Sequence, residues 1–177
     1  FIITTTIRGN LYKGLETVFE CCTILTNMKL YIEWHVLGID MNSTYVRSAC
    51  RKSNMNKNSG NVKLLGSKSG PELVDELLNA DLYVHPSHIE NSPNGVQEAM
   101  LLGMPVIATN VGGTPSLLKD EEEGLLVQNK DPFALAGSIL ELYHNPKKAK
   151  RLGENARKRG VERNNSVKIC ADLVSIF

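Results

Sequence analysis

Short β-branched and apolar runs alternate with segments whose apolar positions recur at helical spacing. Residues 1–7, Phe-Ile-Ile-Thr-Thr-Thr-Ile, read as a buried strand. Leu15, Val18, Phe19, Cys22 and Leu25 then share one helical face, which predicts a helix over 15–27. The same reading predicts strands at 31–37, 62–65, 81–85, 105–109 and 125–127. It predicts helices at 43–52, 71–79, 95–102, 131–144 and onward from Pro146, with a polar loop at 54–61. Pro71 suits a first helical turn, and Thr114 and Asp131 suit N-caps. Such alternation implies an α/β domain with a doubly wound parallel sheet and helices on both faces. Ligands in such sheets bind beyond the carboxyl ends of the strands. Segments 8–13, 86–95 and 109–114 follow strands, so they are expected on one side.

The bulk properties narrow the function. A chain of 177 residues is long enough for one domain with a sizeable core. Its 42% apolar and 22% charged residues exclude a disordered chain, and a net charge of +1 supplies no global field towards nucleic acid or membrane. Cys21, Cys22, Cys50 and Cys170 form no C-x-x-C pair, so neither a zinc site nor a disulfide framework is expected. No apolar run reaches 18 residues, and reduced thiols suit a cytoplasmic protein. Lys147 to Arg163 holds eight cations without an aromatic residue between them. That reads as a solvated helix face rather than a nucleic-acid surface, with peripheral membrane contact as the alternative. The chain begins without Met and midway into a strand, so a preceding segment is expected.

Three constellations carry chemistry. In the stretch from His85 to Met100, Glu90 falls in a loop and Glu98 one turn into a helix opened by Asn94 and Gly95. Free amides at such a start bind anions, Gly95 would admit a ligand close to the backbone, and a deeper Glu98 would accept bonds from vicinal hydroxyls. Taken alone, the two glutamates equally fit a loop charge and a surface helix residue. In the stretch from Gly103 to Pro115, a buried strand runs into Gly112-Gly113, whose amides could meet a ligand or merely form a tight turn. Arg8 and Lys13 could clamp a diphosphate, or stand as solvated turn residues. His85 and His88 flank these segments and read as structural, and Trp34 as core.

In this order the pieces resemble the carboxyl-terminal, donor-binding domain of the family 4 retaining glycosyltransferases of GT-B fold, which is Rossmann-like. Glu90, Glu98, Ala99, Met100, Gly103, Pro105, Val106, Ile107, Ala108, Thr109, Gly112 and Gly113 match the family's E-x7-E, strand and double-glycine pattern. The likeness covers about residues 1–160. Ile7 replaces a usual Gly, Asn91 to Gly95 depart from a Gly-Phe-Gly-rich interior, and Ser116 replaces a usual Glu.

The resemblance implies roles. Glu98 would hold the donor ribose and Glu90 the donor sugar. Amides near Asn94, Gly95 and Val96 would meet the sugar and distal phosphate. Arg8 and Lys13 would neutralise the diphosphate, and Gly66 and Ser67 would flank the base. It implies hexosyl transfer with retention from a nucleotide diphosphate sugar to a glycan or lipid-linked acceptor, as in bacterial polysaccharide biosynthesis. No Asp-x-Asp motif is present, and no metal or cofactor is expected. The domain division expected is 1–163 for nucleotide-sugar binding and 164–177 as a helix or tail, with the acceptor domain on a segment outside this chain. The chain alone is then expected to be inactive, cytoplasmic or peripheral to the inner membrane face. A nucleotide-sugar epimerase of the same fold and a non-catalytic binding module are the alternatives.

Overall fold

The computed structural model describes residues 1–54 and 61–174. Most of the polar loop expected at 54–61 lies outside the described residues. Six strands form one parallel sheet: β1 (Ile2–Thr6), β2 (Glu33–Leu37), β3 (Val62–Leu64), β4 (Leu82–His85), β5 (Val106–Thr109) and β6 (Leu125–Val127). Their spatial order is β3-β2-β1-β4-β5-β6. The order reverses between β1 and β4, where Ile3 pairs with Leu82 and Thr4 with Tyr83. The helices are α1 (Leu15–Asn27), α2 (Thr44–Ser53), α3 (Gly70–Leu78), α4 (Asn94–Leu102), α5 (Thr114–Leu117), α6 (Pro132–His144), α7 (Pro146–Arg163) and α8 (Ser166–Val174).

The strands deal their side chains alternately to two cores. Ile3, Leu82, Val84, Ile107 and Leu125 join one cluster with Val18 and Leu25 of α1, Val46 of α2 and Ile139 of α6. Tyr83, Val106 and Ala108 join the other with Leu77 of α3, Ala99 and Met100 of α4 and Ala156 of α7. Period-two strands and period-3.6 helices therefore bury matching faces on both sides of the sheet. Each fully buried Leu or Ile contributes roughly 1.5–3 kcal/mol relative to exposure. Trp34 is fully buried in the first core, its indole N–H donating to Thr5 Oγ1 at 2.9 Å.

Element ends follow local chemistry. Ser43 caps α2 by accepting from Val46 N, and Asp131 caps α6 by accepting from Phe133 N and Ala134 N. β2 starts later than the apolar run suggests. Leu30 N still bonds Leu25 O, Tyr31 is exposed, and pairing begins where Glu33 N reaches Phe1 O. Thr114 does not cap α5, contrary to expectation. Gly113 takes the cap position, and the buried Thr114 hydroxyl has no partner among the described residues.

The basic helix α7 is turned partly inward. Lys148 pairs with Glu121 and Glu141, Arg159 Nε lies 3.9 Å from Glu123, and Arg151 and Arg163 donate to the carbonyls of Glu121 and Ser116. Half of its cations thus hold residues 116–123, at the end of α5 and in the loop that follows. Among the described residues no helix is long and apolar enough to cross a membrane.

Candidate active site

The site forms where the strand order reverses, since chains leaving β1 and β4 there diverge and open a crevice. After β1 the backbone makes a single 3-10 turn, Leu11–Lys13, and Gly14 follows with φ +74°. A Cβ on Gly14 would overlap the carbonyl of Pro86, so glycine serves both the left-handed turn and the close approach of the next loop. His88 N then donates to Tyr12 O at 2.7 Å, joining the loop after β4 to the turn after β1. This juncture carries Lys13 to Glu90.

Lys13 Nζ lies 2.5 Å from Glu90 Oε1, with their side chains 20% and 9% exposed. His85 Nε2 lies 2.9 Å from the same oxygen. An ionised carboxylate only accepts, so that nitrogen carries the hydrogen. Burial alone would raise the Glu90 pKa, but bonds from His85, Lys13 and Ser87 outweigh it and pull it down to about 2. Behind His85, its Nδ1 faces the Tyr83 hydroxyl at 3.5 Å, and Thr6 Oγ1 bonds that hydroxyl at 2.7 Å. Burial pushes the Tyr83 phenol far above its ordinary range, so it stays a neutral hydrogen-bonding group.

Helix α4 opens beside this chain of groups. No side chain caps it, and Val96 N and Gln97 N both bond Pro93 O. The amides of Asn94 and Gly95 have no partner among the described residues. They present the positive end of a nine-residue helix to the crevice. Gly95 serves packing more than ligand approach, because a Cβ there would overlap Tyr83 OH and Thr6 Oγ1.

A cavity of about 710 Å³ unites these elements. Arg8, Lys13, Ser67, Glu90, Asn94, Gly95 and Glu98 line it, with Asn10, Tyr12, Lys68 and His85. Arg8 is exposed and pairs with no described residue. Glu98 is exposed rather than deep as expected, because Val96, Ala99 and Met100 take the buried face of α4. Val96 leaves the set: its side chain is fully buried and its amide is taken by Pro93. Gly66 lies outside the cavity lining, its carbonyl accepting from Gly38 N. Gly112 and Gly113 also stand behind the lining. A Cβ on either would overlap the carbonyl of Glu90 or Asn91, and Gly113 N bonds Glu90 O at 3.3 Å. They brace the glutamate loop from the rear. His85, read as structural, lines the cavity and touches its carboxylate. Its position, directly before the Pro-Ser that opens the loop, was the available signal.

A second polar cluster anchors the loop from outside the cavity. His88 Nδ1 lies 2.6 Å from Asn129 Oδ1, and its Nε2 3.2 Å from Glu16 Oε1, which also pairs with Lys52. Bonds from His88 and Lys52 overcome burial and lower the Glu16 pKa to about 2. Among the described residues no group of three or more His, Cys, Asp or Glu could hold a metal ion. A second concavity, about 570 Å³ on α7, is lined by Glu154, Arg157, Lys158, Val161 and Glu162 and holds no comparable convergence of groups.

Cations, an uncapped helix start and two carboxylates lining one cavity define an α/β protein suited to an anionic ligand rich in hydroxyls. The family is narrower: the chain belongs to the glycosyl transferases group 1, whose family model matches residues 1–159. It is 29% identical over 136 residues to the amylovoran biosynthesis glycosyltransferase AmsK of Erwinia amylovora, covering 73% of this chain and 33% of that protein. Sucrose-phosphate synthase from Thermosynechococcus elongatus superposes with a TM-score of 0.81 at 26% identity, covering 99% of this chain and 44% of that one. Anabaena HepE, solved in complex with UDP, gives a TM-score of 0.81 at 22% identity, over 100% of this chain and 49% of that one. The chain spans about a third of the length of the curated relatives it matches.

Proposed function

We propose that this chain is the donor-binding, carboxyl-terminal domain of a family 4 retaining glycosyltransferase of GT-B fold. It grips a nucleotide diphosphate sugar and, joined to an acceptor-binding domain, transfers a hexosyl group with retention to a glycan or lipid-linked acceptor. The observation that carries the reading is the convergence of Arg8, Lys13, Glu90, Glu98 and the free amides of Asn94 and Gly95 on one cavity. The biosynthetic role of AmsK and the UDP bound to HepE support it.

Transfer breaks the bond from the anomeric carbon to the diphosphate. Negative charge grows on the leaving phosphate and positive charge on the sugar ring. Arg8, Lys13 and the α4 amides stabilise the former, and removing one such donor costs about 2.7–4 kcal/mol of barrier. Those groups replace a metal ion in this scheme, so the reaction needs none. Glu90 is held ionised, so it accepts hydrogen bonds from sugar hydroxyls rather than acting as an acid. Glu98, exposed and without a partner among the described residues, accepts from the ribose.

Thermal shift with UDP-glucose, GDP-mannose and ADP-glucose tests this, because ligand binding to the folded state raises apparent stability. One of the three should raise the melting temperature of the chain, and Glu98→Ala should abolish that rise. Absence of any rise would sink the reading. Sugar transfer by the 177-residue chain alone would refute the division of labour between domains.

A further inference from the structure

We infer that Glu90 sets the preference of the cavity for a sugar-linked diphosphate over the free nucleoside diphosphate that transfer leaves behind. The inference rests on the donor-binding reading above. The cations of the cavity are not equivalent. Arg8 is exposed and pairs with no described residue, whereas Lys13 lies 2.5 Å from the Glu90 carboxylate. His85 holds the same carboxylate at 2.9 Å and keeps it at the cavity wall. An incoming diphosphate therefore meets a lysine whose charge is already shared, beside a fixed negative charge.

That charge acts differently on substrate and product. The sugar-linked diphosphate carries two negative charges, and its sugar brings hydroxyls that donate to a carboxylate. The free diphosphate carries close to three, because a terminal phosphate has a second pKa of about 6. The additional charge sits on the distal phosphate, the group nearest Lys13 and the α4 amides in the donor-binding arrangement. Glu90 therefore holds the substrate by its sugar and repels the product by its charge. Release of product limits turnover in many enzymes, so such a carboxylate would shorten that step.

Calorimetry on the 177-residue chain and on Glu90→Gln near neutral pH tests this with three probe pairs: UDP and UDP-glucose, GDP and GDP-mannose, ADP and ADP-glucose. In the pair that binds, wild type favours the sugar-linked member. Glu90→Gln binds the free diphosphate roughly fivefold tighter, as expected for removing a unit charge a few ångströms away in a wet site, and binds the sugar-linked member more weakly. Unchanged or weaker binding of the free diphosphate by the variant overturns the inference. A second measurement varies the salt. The gain in affinity for the free diphosphate that Glu90→Gln brings should shrink as salt rises from about 0.01 M to about 0.15 M, and a gain independent of salt would overturn the inference as well. If wild type binds no member of any pair, the donor-binding reading falls and takes this inference with it.

Discussion

Gly95 rests directly on the phenol of Tyr83, in a space where a methyl group would overlap both Tyr83 OH and Thr6 Oγ1. The start of α4 is therefore seated on the same hydrogen-bonded chain that reaches Glu90 through His85. Gly95→Ala is expected to destabilise the fold by about 1–3 kcal/mol through overpacking. Urea denaturation reads the loss. Adding Tyr83→Phe removes one clashing oxygen and should recover part of it, whereas no recovery would place the clash elsewhere.

Arg8 separates binding from folding. It is exposed and has no partner among the described residues, so Arg8→Ala should change stability by no more than about 0.5 kcal/mol. Affinity for the donor should fall roughly tenfold, the loss of about one charge-assisted hydrogen bond. Parallel melting and calorimetry check both. A variant that melts early or binds unchanged contradicts this assignment.

The acid limb of stability has two named contributors. Glu16 and Glu90 both have folded pKa values lowered to about 2 from an ordinary 4.5. A lowered carboxylate pKa stabilises the fold above its unfolded value, and that stabilisation is lost as pH falls through the folded one. The window is thus from about pH 5 down to about pH 2. After allowance for solvent screening, each contributes on the order of 1–2 kcal/mol. Glu16→Gln should lower stability at neutral pH and flatten its dependence across that window. A variant with the wild-type slope would show that Glu16 is not a source of it.

The cap on α6 offers a control away from the cavity. Asp131→Ala removes the acceptor for Phe133 N and Ala134 N and should cost about 1 kcal/mol. Donor binding by the folded protein should be unchanged. A binding defect in this variant would mean that α6 communicates with the cavity.

Much of this was readable from sequence because it is local. The alternation of strand and helix specified the layers, and α1 was read to its limits from the spacing of Leu15, Val18, Cys22 and Leu25. Glu90, Glu98 and the double glycine were visible as a pattern. Their mechanical roles were not, because those depend on contacts distant in the chain. Lys13 meets Glu90 across 77 residues, and no spacing rule joins them. Glu16 reads as an ordinary helix position, and only folding brings it within reach of His88, 72 residues away. The glycines illustrate the same limit. Gly95, Gly112 and Gly113 suggested contact with a ligand, yet each makes room for a neighbouring protein atom.

The pairing of β1 with β4, joining Ile3 to Leu82, also bears on how the molecule is made. A chain emerging from the ribosome presents both cations long before either carboxylate exists. The stretch carrying α1, β2, α2, β3 and α3 must be gathered in first, and closing so long a loop carries an entropic cost that slows assembly. Hydrogen-exchange labelling during refolding should accordingly find β1–β2 protected before β1–β4. The cavity is then closed only once the loop and helix after β4 have emerged, and a chain arrested before its glutamates would carry half of the facing charges.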